Sequence, residues 1–228
     1  MSDQTAFFDV TVTSPLQVDE EKSWVAPSDP SAETSSVMVI ACGAIARETL
    51  AVIKTNKLDH ISLHCLPAIL HNTPDQIPQA VRAAIHKFRA PGRQIYIGYG
   101  DCGTGGLLDK VLVEEGVERL PGAHCYAFFS GVEAFAALSE DEITSFYLTD
   151  FLARQFRAFV IEPLGLDRHP ELASMYFGHY EKVVYLAQTD DDELTKRAQD
   201  AADFLGLAFE RRFTGFGDLS KKLYDLTS

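Results

Sequence analysis

The chain has 228 residues, 46% of them hydrophobic, and a formal net charge of −13 from 33 acidic and 20 basic side chains. That length suits one large domain or two small, tightly packed ones, and the apolar fraction is ample for a core. The acidic balance, with no basic stripe against it, argues against a nucleic-acid partner, because phosphate binding depends on clustered Lys and Arg.

No apolar run approaches the roughly 20 residues that a spanning helix needs. The N-terminus lacks a basic segment followed by an apolar one. A cytoplasmic protein with no membrane partner is expected. Four cysteines, Cys42, Cys65, Cys102 and Cys125, lie far apart, unlike the dense spacing of a disulfide scaffold. Buried hydrophobe, metal ligand and nucleophile remain as their roles.

Residues 1–34 read as a flexible or irregular arm, with Ser14-Pro15 and Pro27-Ser28-Asp29-Pro30 breaking it and one short strand possible over Phe7–Val12. Residues 35–228 read as an α/β domain, divisible into two similar subdomains of about 35–140 and 141–228. Val37–Ile40 is a short apolar run suited to a buried strand. Cys42-Gly43 ends it, and Ile45, Thr49, Val52 and Ile53 follow at helical spacing. Ile61–Leu66 is a second strand. Thr73-Pro74-Asp75-Gln76 predicts a helix start with Thr73 as N-cap and Gln76 closing a capping box; Ile77, Val81, Ala84, Ile85 and Phe88 then share one face. Gln94–Ile97 is a third strand, leading through a glycine loop, Gly98–Gly106, into a helix ended by Gly116.

Cys125–Phe129 and Phe146–Leu148 read as strands. Thr149 or Asp150 caps a helix carrying Leu152, Phe156, Phe159 and Val160. Val183–Ala187 is a strand, Thr189–Asp192 starts an acidic first turn that suits the helix dipole, and Gly206 ends the helix before a last strand over Leu207–Phe213. Strands and helices alternating at these lengths predict βαβ units and a largely parallel, helix-flanked, Rossmann-like sheet.

Ligands in open α/β sheets bind beyond the carboxyl ends of the strands. Cys42 follows the first strand, Cys102 follows the third across the glycine loop, and Cys125 follows Pro121-Gly122; each is close to a glycine. Cys65 lies inside a strand and reads as structural. Three thiolates suit Zn²⁺ as Cys₃His or Cys₃ with an open position, or a [4Fe–4S] cluster with one open iron. His124 and His71 are the candidates for a further ligand. The expected substrate-binding residues are Asn72, Tyr99, Gly100, Asp101, Gly103, Gly105 and Asp150, with a small molecule as the possible substrate. Gly98, Gly100 and Gly103 also match the dinucleotide fingerprint, with Glu115 and Glu118 near the place of a ribose-binding acid. A nucleotide-binding enzyme using the Gly98–Gly106 loop is therefore the alternative.

On Ala41-Cys42-Gly43, Leu70-His71-Asn72-Thr73-Pro74, Gly98-Tyr99-Gly100-Asp101-Cys102-Gly103 and Pro121-Gly122-Ala123-His124-Cys125, the chain resembles domain-of-unknown-function family 1638. Members of that family are associated with corrinoid-dependent methyltransferase systems. The resemblance implies a role in one-carbon metabolism, as a methyltransferase component or a cobalamin-maintenance accessory, with a corrinoid protein or methyltransferase subunits as partners. It leaves open a non-catalytic partner of a corrinoid protein. Whether the chain is itself an enzyme is undecided at this level.

Overall fold

The computed structural model describes residues 24–25, 36–131, 133, 135 and 142–226. The strand expected over Phe7–Val12 lies outside them. Eight strands and eight α-helices are described: β1 (Trp24–Val25), β2 (Val37–Cys42), α1 (Ala46–Thr55), β3 (Ile61–Leu66), α2 (Ile77–Phe88), β4 (Gln94–Gly98), α3 (Leu107–Glu115), β5 (Glu118–Arg119), α4 (Ala127–Ser130), β6 (Ser145–Thr149), α5 (Asp150–Phe156), α6 (Ala173–Phe177), β7 (Lys182–Ala187), α7 (Asp192–Leu205), β8 (Ala208–Phe213) and α8 (Gly217–Asp225).

They form two sheets. The first has the order β1-β3-β2-β4-β5 and the second β6-β7-β8. Every pairing is parallel except β1 on β3. This is the mixed α/β, Rossmann-like arrangement that the alternation of apolar runs predicts. One expectation fails at the N-terminal arm: Trp24–Val25 is not loop but an antiparallel edge strand, Trp24 opposite Cys65 and Val25 opposite His64. Two residues carry no period, so pairing alone reveals such a strand.

β2 is the centre of the first sheet. Val37 through Cys42 are all buried, with Ile40, Ala41 and Cys42 fully so, which explains an unbroken apolar run in place of an alternating one. Ala41 stands opposite Cys65 on one side and Gly98 on the other. A Cβ on Gly98 would lie 2.8 Å from the Ala41 Cβ, so glycine is what lets β4 end beside β2. Because the chain runs from β2 to β3 on one side and returns to β4 on the other, the strand order reverses next to β2. A ligand crevice is expected at that switch, outside the carboxyl ends.

Two local expectations are corrected. Thr73 makes no side-chain cap; Pro74–Gln76 forms a 3-10 turn that feeds α2 at Ile77. Cys125–Phe129 is not a strand. His124 and Cys125 carbonyls accept from the Ala127 and Phe128 amides, so the chain turns into α4, and the strand of this segment is β5. The N-cap of α7 is Asp191, whose carboxylate accepts from the Leu194 amide, within the acidic start expected over Thr189–Asp192. Thr149 does cap α5, accepting from the Leu152 amide, and the helix departs from regular geometry at Gln155 before a π-helical turn over Arg157–Ile161. No helix of the described residues is long and apolar enough to cross a membrane.

Candidate metal centre

The parallel register brings the carboxyl ends of β2, β3 and β4 to the same side, and the cysteines follow from that. Cys42 is the last residue of β2 and accepts a hydrogen bond from the Ala44 amide at 3.3 Å, at the start of the turn into α1. His71 sits in the 3-10 turn Ala68–Asn72 that follows β3. Cys102 lies in the loop after β4 and Cys125 in the loop after β5.

Two backbone hydrogen bonds stitch the last two loops together, from the Asp101 amide to the Gly122 carbonyl at 3.1 Å and from the Cys102 amide to the Ala123 carbonyl at 2.8 Å. Gly100 makes that approach possible, since a Cβ there would stand 2.9 Å from backbone atoms of His124. Cys102 itself has φ +50, a left-handed conformation uncommon for a residue with a side chain and often found at functional sites.

Cys42, His71 and Cys125 present ligand atoms that all lie within 4.8 Å of one another and could hold a metal ion. The Cys42 sulfur is 3.6 Å from His71 Nδ1, and the Cys125 sulfur is 3.8 Å from His71 Nε2. Cys102 places its sulfur 3.6 Å from that of Cys125. All three cysteines are buried. His71 Nδ1 is also 3.1 Å from the Ala68 carbonyl oxygen. A proton on Nδ1 satisfies that carbonyl and leaves the Nε2 lone pair facing Cys125, which is the device by which metal-binding histidines are oriented.

Side by side in a dry pocket, these donors hold on to their protons. Burial pulls the His71 pKa down, but hydrogen bonds to Cys102 and Cys125 outweigh it and hold it well above the ordinary value. Cys125 beside it, together with burial, pushes the Cys102 thiol up. For Cys125 the Cys102 bond pulls down, yet the bond with Cys42 and burial win and the thiol is raised. Two sulfurs in contact cannot both carry charge in a dry site unless a positive centre joins them. The Tyr99 hydroxyl adds a second sign. It is fully buried and has no hydrogen-bond partner among the described residues, its pKa is driven up by burial and by the Cys42, Cys102 and Cys125 sulfurs, and its ring stacks with His71 at 6.4 Å between centroids.

The other expected residues fall into two groups. His124 is not among the clustered donors; its ring stacks on Tyr126 at 4.8 Å, and burial lowers its pKa. Asn72 lines the cavity beside the cysteines. The Asp101 carboxylate accepts from Thr104 Oγ1 at 2.7 Å, the Gly106 amide at 2.8 Å and the Gly105 amide at 3.1 Å. Burial raises its pKa, and these bonds overcome that and lower it. Asp101 thus engages the amides just before α3. Glu115 is engaged by Arg82, His86 and Arg89, and Glu118 is a strand residue of β5.

Gly103 and Gly105 have φ +83 and +61 and shape the same turn. Asp150 is not among the clustered donors. It is fully buried and accepts from Tyr185 Oη at 2.7 Å, the Gln188 amide at 2.9 Å, the Thr189 amide at 3.0 Å and Thr189 Oγ1 at 2.6 Å. Its work there is to join the start of α5 to the end of β7. Cys65 is buried in β3.

A family model described as a protein of unknown function (DUF1638) matches residues 65–223. The chain belongs to that family. The matched DUF1638 span contains His71, Cys102 and Cys125, whereas Cys42 precedes it. No curated protein and no solved structure matches the chain.

Proposed function

We propose that the protein holds a single zinc ion through Cys42, His71 and Cys125, with Cys102 as the fourth ligand, and serves corrinoid-dependent methyl transfer in one-carbon metabolism. The observation that carries the metal reading is the spacing of its donors. Bonds of about 2.3 Å to sulfur and about 2.0–2.1 Å to nitrogen, at tetrahedral angles, put sulfurs about 3.8 Å from each other and about 3.6 Å from nitrogen. The 3.6 Å between the Cys102 and Cys125 sulfurs and the 3.8 Å from the Cys125 sulfur to His71 Nε2 match that pattern, and Cys42 keeps within 4.8 Å of Cys125 and His71. A [4Fe–4S] cluster gives each thiolate its own iron and would spread the sulfurs around an inorganic core. The donor spacing therefore favours a mononuclear ion over a cluster.

The methyl-transfer part rests on the family resemblance and on the chemistry of such a centre. A thiolate-bound zinc ion lowers the pKa of a thiol beside it and makes that thiol a nucleophile at neutral pH. The protein's own residues exclude water through the buried wall of β2 and fix the His71 tautomer through the Ala68 carbonyl. A corrinoid protein is the proposed methyl donor and the cytoplasm the proposed location. Zinc-loaded protein, methylcobalamin and a thiol should lose the methylcobalamin absorbance faster than methylcobalamin and thiol alone, and Cys125→Ser should remove the difference. Equal rates with and without the wild-type protein would defeat the methyl-transfer reading.

A further inference from the structure

The cysteine cluster opens onto a cavity of about 590 Å³. His71, Cys102 and Cys125 are on its wall, and Cys42 is not. Asn72, His124 and Tyr126 neighbour them in the chain and also face the cavity. The rest is apolar, chiefly Phe146, Phe151, Phe159, Val160 and Leu164 from β6 and the α5 region. Thr149 is the polar exception, and its hydroxyl is occupied by the Leu152 amide. No Asp, Glu, Lys or Arg of the described residues lines the space.

A charged ligand would lose its hydration here without gaining a partner. An uncharged body of roughly ten to twenty heavy atoms suits both the size and the lining. The head group is set by the other end. Cys102 stands outside the mutually close set Cys42, His71 and Cys125, it has the left-handed backbone noted above, and it faces the cavity. It is the ligand placed to give way to an incoming donor.

Building on the zinc reading, we infer that the cavity binds an uncharged thiol with an aromatic or branched aliphatic body, its sulfur replacing Cys102 on the metal. The exchange balances without a redox step. The bond between the metal and the Cys102 sulfur breaks, the bond to the ligand sulfur forms, and the ligand's thiol proton passes to the Cys102 thiolate.

Cobalt(II) in place of zinc makes this visible, because its coordination by thiolate absorbs in the near-ultraviolet and visible. Phenylmethanethiol should change the cobalt spectrum at a concentration at least tenfold below that needed for 2-mercaptoethanesulfonate, and phenylmethanol should not change it. Leu164→Trp fills the apolar end and should weaken the phenylmethanethiol response at least tenfold while leaving the ligand-free cobalt spectrum intact. Val160→Phe, a milder filling, serves if the first variant fails to fold. Equal responses to the charged and apolar thiols, or an unchanged response in both filled variants, would overturn the cavity assignment. A normal cobalt–thiolate spectrum indifferent to every thiol would overturn this inference and leave the metal centre standing. No cobalt–thiolate spectrum at all would remove the metal centre and this inference with it.

Discussion

Gly100→Ala tests how the two cysteine loops are held together. Gly100 is buried, and its φ lies outside the left-handed range, so alanine is opposed by space alone. The added Cβ would meet the His124 carbonyl carbon and amide nitrogen at 2.9 Å, where ordinary contact starts at 3.4 Å. The obstacle is backbone on both sides, so the loop after β4 and the loop after β5 must separate by about half an ångström. Overpacking of this kind costs about 1–3 kcal/mol. In a domain of this size about 2 kcal/mol lowers the melting temperature by roughly 4–8 °C.

The same displacement lengthens the hydrogen bonds from Asp101 and Cys102 to Gly122 and Ala123 and draws the Cys102 sulfur away from Cys125. Loss of the contacts that hold metal ligands in place typically lowers metal affinity about 10–100-fold. Calorimetry on metal-free protein reads the first effect, and zinc competition against a chromophoric chelator reads the second. A variant with wild-type melting temperature and wild-type zinc affinity would refute the docking of the two loops.

Other substitutions separate the site from the scaffold. Asp150→Asn puts an amide where four donors need acceptors and should cost about 2–4 kcal/mol in urea unfolding, with metal content unchanged; loss of metal without loss of stability would place Asp150 in the site instead. Tyr99→Phe removes a buried hydroxyl that has no partner among the described residues, so metal-free protein should gain roughly 1 kcal/mol; a loss of that size in metal-free unfolding would show that the hydroxyl is satisfied there. His64 gives a pH dependence. It is 4% exposed, and burial, with Lys87 nearby, lowers its pKa from 6.5 to about 4.

Above pH 6.5 both folded and unfolded His64 are neutral and it contributes nothing to the slope. Between pH 6.5 and 4 the unfolded chain binds a proton that the folded one refuses, so stability falls as pH falls, by up to about 3 kcal/mol. His64→Leu should therefore lose about that much less stability than wild type between pH 7 and 4, and parallel profiles would contradict the buried neutral ring.

The strands were readable where burial on both faces made them continuous, as in Val37–Cys42, and the helices where apolar residues kept a 3.6 period, as in Ile77–Phe88. Cys125–Phe129 misleads because aromatic and sulfur side chains suit a buried strand and a buried helical turn alike, and only packing against α8 decides. There Gly217 comes so close that a Cβ would lie 2.2 Å from the Phe129 carbonyl oxygen. Among the site residues, the three cysteines were visible as glycine-flanked positions at loop starts. The choice between His71 and His124 was not, since both read alike as loop histidines close to the cysteine segments.

It is the parallel pairing of β2 with β3 that carries His71 to Cys42, and a long-range register leaves no local trace. Asp150 likewise reads as a helix cap or a substrate-binding residue in sequence, because its donors Tyr185, Gln188 and Thr189 are supplied by β7 and the loop that follows it.

Metal content per chain, measured with the visible spectrum on protein purified without oxygen, alongside Cys42→Ser, tests the proposed zinc centre most directly. One zinc per chain, no colour, and loss of that zinc in Cys42→Ser is the expected result. A brown protein with iron and sulfide would contradict a mononuclear site, and a wild-type protein that takes up no metal would contradict the centre altogether.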